Sequence, residues 1–137
     1  MRYQSTRNKS IAVESAYAIK NGISPEGGLY VPESIPQIDL NDIKNMAGMK
    51  YTERAAYVLG MFLTDYTADE LKVCAQSAYS VPKFETEDTA PLYSIDEKTA
   101  VLELWHGPPV LLRIWLFRYF LIFLQMLSAK QAKATRL

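Results

Sequence analysis

The character of this chain changes across one short stretch, Val101-Leu102-Glu103-Leu104-Trp105-His106-Gly107-Pro108. Upstream of it, polar turns separate segments that have helical or strand-like patterns at ordinary intervals. Downstream of it, residues 109–127 are almost continuously apolar and a short basic end follows. The stretch therefore divides the chain into a domain-like part, residues 1–108, and a tail of a different kind, residues 109–137.

The composition is that of a folded protein with no electrostatic preference for a polyanion. The 137 residues are the length of one ordinary domain, and 49% of them are hydrophobic. Lysine and arginine together number 15, as do aspartate and glutamate, so the formal net charge is zero. Such a balance gives no reason to expect binding to nucleic acid or to an anionic membrane surface.

The scarcity of cysteine and histidine excludes two kinds of site. Cys74 has no partner for an intrachain disulfide, and its helical context predicts a packed thiol in preference to a nucleophile. With His106 as the single histidine, a zinc site of the usual spacing is not expected. Residues 1–5 are polar and lack the apolar core of a signal peptide, so the expected location is the cytoplasm.

Strand-like patterns occur at both ends of the domain-like part. Residues 3–7 are expected to form an edge strand, and residues 29–32 a short strand that ends at a proline. Two further strands, 91–95 and 100–104, are expected to form a hairpin across a polar turn. Before residue 29, the double glycine at positions 27 and 28 predicts a tight turn. A phosphate-binding loop is the less favoured alternative there, because no Walker lysine and no helix follow.

Helical spacing of apolar residues predicts about three helices, over residues 11–20, 52–63 and 68–79. Ser10 and Thr52 are expected to cap the first two helices, and Thr67 with Glu70 forms a capping box for the third. The connector over residues 33–50 is expected to be irregular, with one helical turn near its middle. Two apolar stripes on the later helices predict a core: Ala56, Leu59 and Leu63, and Leu71, Cys74 and Ala78.

Three stretches of the sequence, in this order, resemble a known family. They are Tyr3-Gln4-Ser5-Thr6-Arg7, residues 22–33 with Ile35-Pro36, and Leu102-Glu103-Leu104-Trp105-His106-Gly107-Pro108. Together they resemble the N-terminal portion of threonine synthase, over about residues 1–108. The resemblance implies an α+β fragment, a small sheet with about three helices, of a pyridoxal-phosphate-dependent α/β enzyme. That family makes threonine from O-phosphohomoserine and water, with phosphate leaving.

The resemblance stops one residue after Pro108. Family members continue with a threonine, a few small residues and a Phe-Lys-Asp trio, whose lysine forms the Schiff base with the cofactor. Here the next ten residues contain no lysine, and Arg113 cannot replace one, because a permanently protonated guanidinium is a poor nucleophile. Lys130 and Lys133 lie in a tail that is unlike the family. We therefore expect no covalently bound pyridoxal phosphate.

The resemblance assigns His106, Gly107 and Pro108 to the remnant of an active-site motif. Because the lysine is missing, we expect no catalytic or cofactor-binding residue in this chain, and because histidine and cysteine are scarce, we expect no metal-binding residue. Much of the cofactor domain of the family is also missing, and that C-terminal domain would be the natural packing partner. The chain is thus expected to be an N-terminal fragment of threonine synthase that is inactive by itself.

A single lost base would explain the departure from the family. Suitable codons from Pro109 onward, read with one base restored, encode Thr-Cys-Ala-Phe-Lys-Asp-Met-Ala-Phe-Gln, the continuation that the family leads one to expect. The codons are chosen to fit, but the shifted frame leaves few residues open at each position. We hypothesise a frameshift, in nature or in sequencing, at the codon after Pro108.

The tail also permits a second interpretation. Residues 110–127 are nearly long enough to span a bilayer, but Arg113 and Arg118 interrupt them, at about 3 kcal/mol each at mid-membrane. The uncharged run over 119–129 is too short to span alone, so a membrane is the less favoured partner. The alternative function is a non-catalytic interaction domain whose apolar helical tail binds a partner or lies at a membrane surface.

Overall fold

The computed structural model describes residues 1–79, 84 and 88–106 of the chain. The helices and strands follow in this order: β1 (Arg2–Ser5), β2 (Ala12–Glu14), α1 (Ser15–Asn21), β3 (Tyr30–Pro32), α2 (Leu40–Ala47), α3 (Tyr51–Phe62), α4 (Ala68–Tyr79), β4 (Leu92–Ser94) and β5 (Ala100–Leu102). The fold is α+β, as expected, with four helices in the described part of the chain in place of about three. The expected apolar tail lies outside the described residues.

The first sheet has three antiparallel strands in the order β2-β1-β3. Tyr3 of β1 lies opposite Val13 of β2 on one side and Pro32 of β3 on the other. The prediction of an edge strand near residue 3 is therefore wrong, because β1 is the central strand. The helix expected from residue 11 is also wrong in its first part, since residues 12–14 pair with β1 before α1 begins.

Helix α1 receives its N-terminal cap from a distant residue. The Ala16 amide donates to Asp65 Oδ2 at 2.8 Å, and the Ser15 hydroxyl donates to Asp65 Oδ1. The expected cap, Ser10, instead donates from its hydroxyl to Asn8 Oδ1 at 2.6 Å. The helix ends at Asn21, one residue later than predicted, and Gly22 follows it with a φ of +67°. Asp65 thus joins the start of α1 to the segment between α3 and α4.

Capping boxes define the starts of α2 and α4. Asp39 Oδ1 accepts from the Asp42 amide at 2.8 Å, and the Asp39 amide donates to Asp42 Oδ2 at 3.1 Å. This box starts a helix of eight residues, longer than the single turn expected. At α4 the expected box is confirmed: Glu70 Oε2 accepts from the Thr67 amide at 2.8 Å, and Thr67 Oγ1 accepts from the Glu70 amide at 3.3 Å.

Helix α3 begins one residue earlier than expected. Lys50 precedes it, so Thr52 lies inside the helix and is not its cap. The Lys50 amide donates to Glu53 Oε2 at 2.8 Å, which satisfies a group that the first helical turn leaves without a helical partner. The capping interaction therefore comes from the Glu53 carboxylate, three residues into the helix.

The core lies between α3 and α4, which form a helical hairpin. The Tyr51 and Tyr79 rings, at the start of one helix and the end of the other, are 5.1 Å apart, so the helices run antiparallel. The buried members of the core are Ala56, Leu63, Tyr66, Leu71, Cys74, Ala75 and Ala78. Both predicted stripes thus face the core, with Leu59 partly buried against it. Cys74 is fully buried, as expected, and this burial raises the pKa of its thiol to about 11.

Candidate functional site

The first two family-like stretches meet in a buried hydroxyl cluster, which consists of Ser5 of β1 and Ser24 of the turn before β3. Their Oγ atoms are 3.0 Å apart, and the two residues are 1% and 3% exposed. The Gly28 amide donates to Ser24 Oγ at 3.0 Å, and the Arg7 amide donates to Ser5 Oγ at 3.2 Å. The cluster therefore holds the turn against the end of the central strand.

Gly28 fits against this cluster only because it has no side chain. A Cβ at Gly28 would lie 2.2 Å from Ser5 Oγ and 3.0 Å from the Arg7 amide nitrogen. Gly27 before it has a φ of +79°, which favours glycine. Because the Gly28 amide already donates to Ser24, it is not directed at an anion, so the double glycine serves a tight turn. The less favoured phosphate-loop interpretation gains nothing from this geometry.

A charged rim borders the hydroxyl cluster. Arg7 Nη1 donates to the Glu26 carbonyl oxygen at 3.1 Å, and Ser24 Oγ lies 2.9 Å from Glu26 Oε1. A hydrogen bond from Ser5, with smaller contributions from Ser24 and Arg7, lowers the pKa of the Glu26 carboxyl. The cluster and its rim together hold two serine hydroxyls, the Glu26 carboxylate and the Arg7 guanidinium, all of them engaged in contacts within the turn or with β1. These contacts hold the turn in place against β1, and they indicate a structural role in preference to a catalytic one.

The third family-like stretch belongs to the hairpin of β4 and β5. Tyr93 lies opposite Val101, and the Glu103 amide extends the ladder by donating to the Pro91 carbonyl oxygen at 2.9 Å. In the turn, Asp96 Oδ1 accepts from the amides of Lys98 and Thr99, both at 2.8 Å. The predicted hairpin is confirmed, and residues 103–106 follow directly after its second strand.

His106 lies directly after this hairpin and contacts Glu103. The Nε2 atom of His106 is 2.6 Å from Glu103 Oε2, and the two side chains are only 17% and 22% exposed. The Trp105 and His106 rings are 5.6 Å apart with 33° between their planes. A carboxylate at this distance fixes the orientation of an imidazole and favours a proton on the nitrogen that faces it. No contact between Glu103 and His106 was predicted from the sequence. The signal that could have identified it is their spacing of three residues.

The other predicted site residues, Gly107 and Pro108, lie outside the described residues. What is described of the motif supplies a carboxylate, an indole and an imidazole, and none of these is a primary amine. An imine to pyridoxal phosphate requires such an amine. The described residues of this motif therefore supply no group for covalent attachment of that cofactor, and we derive no step that passes through it.

Metal-binding clusters and membrane-spanning helices are both absent from the described residues. No group of three or more histidine, cysteine, aspartate or glutamate side chains there is arranged to hold a metal ion. Within the same residues, no helix has the length and apolar character needed to cross a bilayer.

The hairpin also presents an apolar surface that the sequence did not predict. Its large apolar residues are between 37% and 65% exposed: Leu92, Tyr93, Ile95, Val101, Leu102 and Trp105. Every residue of β4 and β5 is exposed, so side chains on both faces of this two-stranded sheet contact solvent. A two-stranded sheet without a packed face is marginally stable in water. The surface, which we call the hairpin surface, is thus suited to packing against further polypeptide.

Comparisons with known proteins find similarity to threonine synthases. A family model described as threonine synthase N terminus matches residues 2–79. The chain is 33% identical over 115 residues to threonine synthase of Methylobacillus glycogenes, covering 79% of this chain and 24% of that protein. It is 37% identical over 109 residues to that of Pseudomonas aeruginosa, covering 79% and 23%. The chain thus spans about a quarter of the length of these relatives.

Solved structures have the same fold. The chain is similar to the PLP-bound threonine synthase of Brucella melitensis, with a TM-score of 0.88 and 28% identity over 96% of this chain and 28% of that one. The threonine synthase of Escherichia coli gives a TM-score of 0.82 at 22% identity, over 93% and 28% of the two chains. This second likeness supports the fold alone.

Proposed function

This chain belongs to the threonine synthase family, as its N-terminal portion, and on that premise we propose that it derives from an enzyme of threonine biosynthesis. The proposed reaction of the whole enzyme converts O-phosphohomoserine and water to L-threonine and phosphate, with pyridoxal phosphate as cofactor. The observation that carries the proposal is the match of the family model to residues 2–79. The similarity to a PLP-bound relative, at a TM-score of 0.88, supports the cofactor.

The chain by itself is proposed to be inactive. The remnant motif His106-Gly107-Pro108 is followed by ten residues without a lysine, so the amine that the family uses is not supplied there. Without an imine the cofactor cannot act as an electron sink, which is the chemistry that it supplies when bound. What the described residues do in the motif is hold the His106 imidazole against the Glu103 carboxylate.

In this proposal the hairpin surface is a packing site for further polypeptide. The matched relatives have about three quarters of their length beyond the part that this chain covers. The exposed apolar residues of the hairpin immediately precede the remnant motif, at the end of the family-like part. We propose that polypeptide equivalent to the rest of a threonine synthase packs on this surface. Burial of its apolar area would supply about 25 cal/mol per Å².

A test of inactivity compares the chain with the product of a repaired gene. The purified 137-residue chain, mixed with pyridoxal phosphate, is expected to develop no visible absorption band from an imine and to release no phosphate from O-phosphohomoserine. The same gene with one base restored after the codon for Pro108 is expected to give a product that develops the absorption band and releases phosphate. Phosphate release is measured colorimetrically, with threonine synthase of Pseudomonas aeruginosa as the positive control.

Two outcomes would contradict different parts of this proposal. Phosphate release by the unrepaired chain would show that another group replaces the missing amine. A nucleotide sequence across codons 105–120 that encodes no Phe-Lys-Asp trio in any frame would end the frameshift hypothesis, while membership of the family would stand.

A further inference from the structure

The facing sides of α3 and α4 leave a cleft of about 500 Å³. Small-molecule sites typically have volumes between about 300 and 1,000 Å³. Helix α3 lines the cleft with residues spaced three and four apart, and α4 does the same: Glu53, Ala56, Tyr57 and Gly60, and Ala68, Leu71 and Lys72. Such spacing places each set on one helix face, and Met49 and Tyr66 complete the lining.

Small residues create the space at the floor of the cleft. Ala56 and Gly60 of α3 occupy positions where larger side chains would otherwise fill the space against α4. A Cβ added at Gly60 would come within 3.5 Å of Leu71 Cδ1, so the missing side chain itself opens the floor. Leu71 is 3% exposed and supplies apolar surface there. The floor is therefore shaped for an apolar group.

The rim of the cleft has one charge of each sign. Glu53 projects from α3 and Lys72 from α4, and both residues are exposed at the surface. The bond from the Lys50 amide to Glu53 Oε2, at 2.8 Å, restrains the carboxylate, whose second oxygen has its own acceptor positions. A ligand over this rim would meet a restrained anion and a flexible cation, with apolar surface beneath.

We propose that this cleft binds a free α-amino acid with an apolar side chain. The ammonium group of the ligand pairs with Glu53, its carboxylate pairs with Lys72, and its side chain lies on the floor formed by Ala56, Gly60 and Leu71. Charge favours this class, because a fatty acid would pair with Lys72 and leave Glu53 without a partner from the ligand, and an alkylamine would pair with Glu53 and leave Lys72 without one. The inference does not depend on the proposed threonine synthase activity.

The test uses L-leucine and two analogues that each lack one charge. Isothermal titration of the full 137-residue chain is expected to show saturable binding of L-leucine. 4-Methylpentanoate lacks the ammonium and 3-methylbutylamine lacks the carboxylate, and each is expected to bind about tenfold more weakly, because each loses one charge-assisted hydrogen bond. Equal affinity for all three compounds, or no saturable binding of L-leucine at millimolar concentration, would overturn the proposal.

Paired variants locate the binding site. Lys72→Met is expected to weaken L-leucine binding about tenfold, because it removes one charge-assisted contact, while Lys44→Met, which removes an exposed lysine of α2, leaves the affinity unchanged. Gly60→Leu fills the floor and is expected to abolish binding. Its control, Gly48→Leu, adds the same side chain where a Cβ would meet nothing within 4 Å. Far-UV circular dichroism verifies that each variant is folded. Unchanged binding in folded Gly60→Leu would place the ligand elsewhere and refute the cleft.

Discussion

Gly28→Ala is expected to destabilise the described domain by about 3 kcal/mol, through overpacking and the loss of a buried hydrogen bond. The new Cβ would lie 2.2 Å from Ser5 Oγ and 3.0 Å from the backbone nitrogen of Arg7. Ser5 is 1% exposed and its hydroxyl is already in the cluster with Ser24, so it has no room to move aside without breaking that contact. The backbone of β1 would have to shift instead.

Urea denaturation followed by circular dichroism measures this effect. The transition midpoint is expected to fall while its slope against urea stays the same, since the surface exposed on unfolding is unchanged. Gly48→Ala is the matched control, because a Cβ there meets nothing within 4 Å and its φ of −87° suits alanine. Equal midpoints for the two variants would show that the turn does not pack against β1 as described.

Asp65→Ala is expected to cost about 2–3 kcal/mol, because it removes a helix cap and leaves a buried hydroxyl without its acceptor. Asp65 Oδ2 accepts from the Ala16 amide at 2.8 Å, and Oδ1 accepts from the Ser15 hydroxyl. Ser15 is fully buried, so water does not replace the lost acceptor. The substitution removes the side chain that links α1 to the segment between α3 and α4.

The same urea titration tests this prediction with two comparison variants. Asp65→Asn keeps one side-chain acceptor oxygen and is expected to lose less than half as much stability as Asp65→Ala. Glu97→Ala removes an exposed carboxylate in the hairpin turn and is expected to change stability by less than about 0.5 kcal/mol. A loss for Asp65→Ala no larger than that for Glu97→Ala would contradict the capping role.

Local signals in the sequence predicted the elements that depend on neighbouring residues. The start of α4 follows from Thr67 and Glu70, which are three residues apart and bond reciprocally. The hairpin follows from two strand-like segments that flank the polar turn at Asp96. The start of α2 could have been predicted in the same way, because Asp39 and Asp42 have capping-box spacing.

The parts of the fold that the sequence did not predict depend on contacts between residues that are distant in the chain. The start of α1 depends on Asp65, which is 49 residues from the amide that it caps. The central position of β1 depends on β3, which joins it only after α1 and a turn. The resemblance gave the order of the family-like stretches, but the pairing of Ser5 with Ser24 and the exposure of the hairpin surface required the fold.

The burial of Cys74 provides an intrinsic reporter of structural opening. It is the single cysteine of the sequence and is fully buried between α3 and α4. Iodoacetamide reaches the thiol only when these helices separate, so the alkylation rate in the native state measures how often they do so. Mass spectrometry would count this single adduct directly. The exchange of the helical hairpin with its open form can therefore be timed without introducing any foreign label.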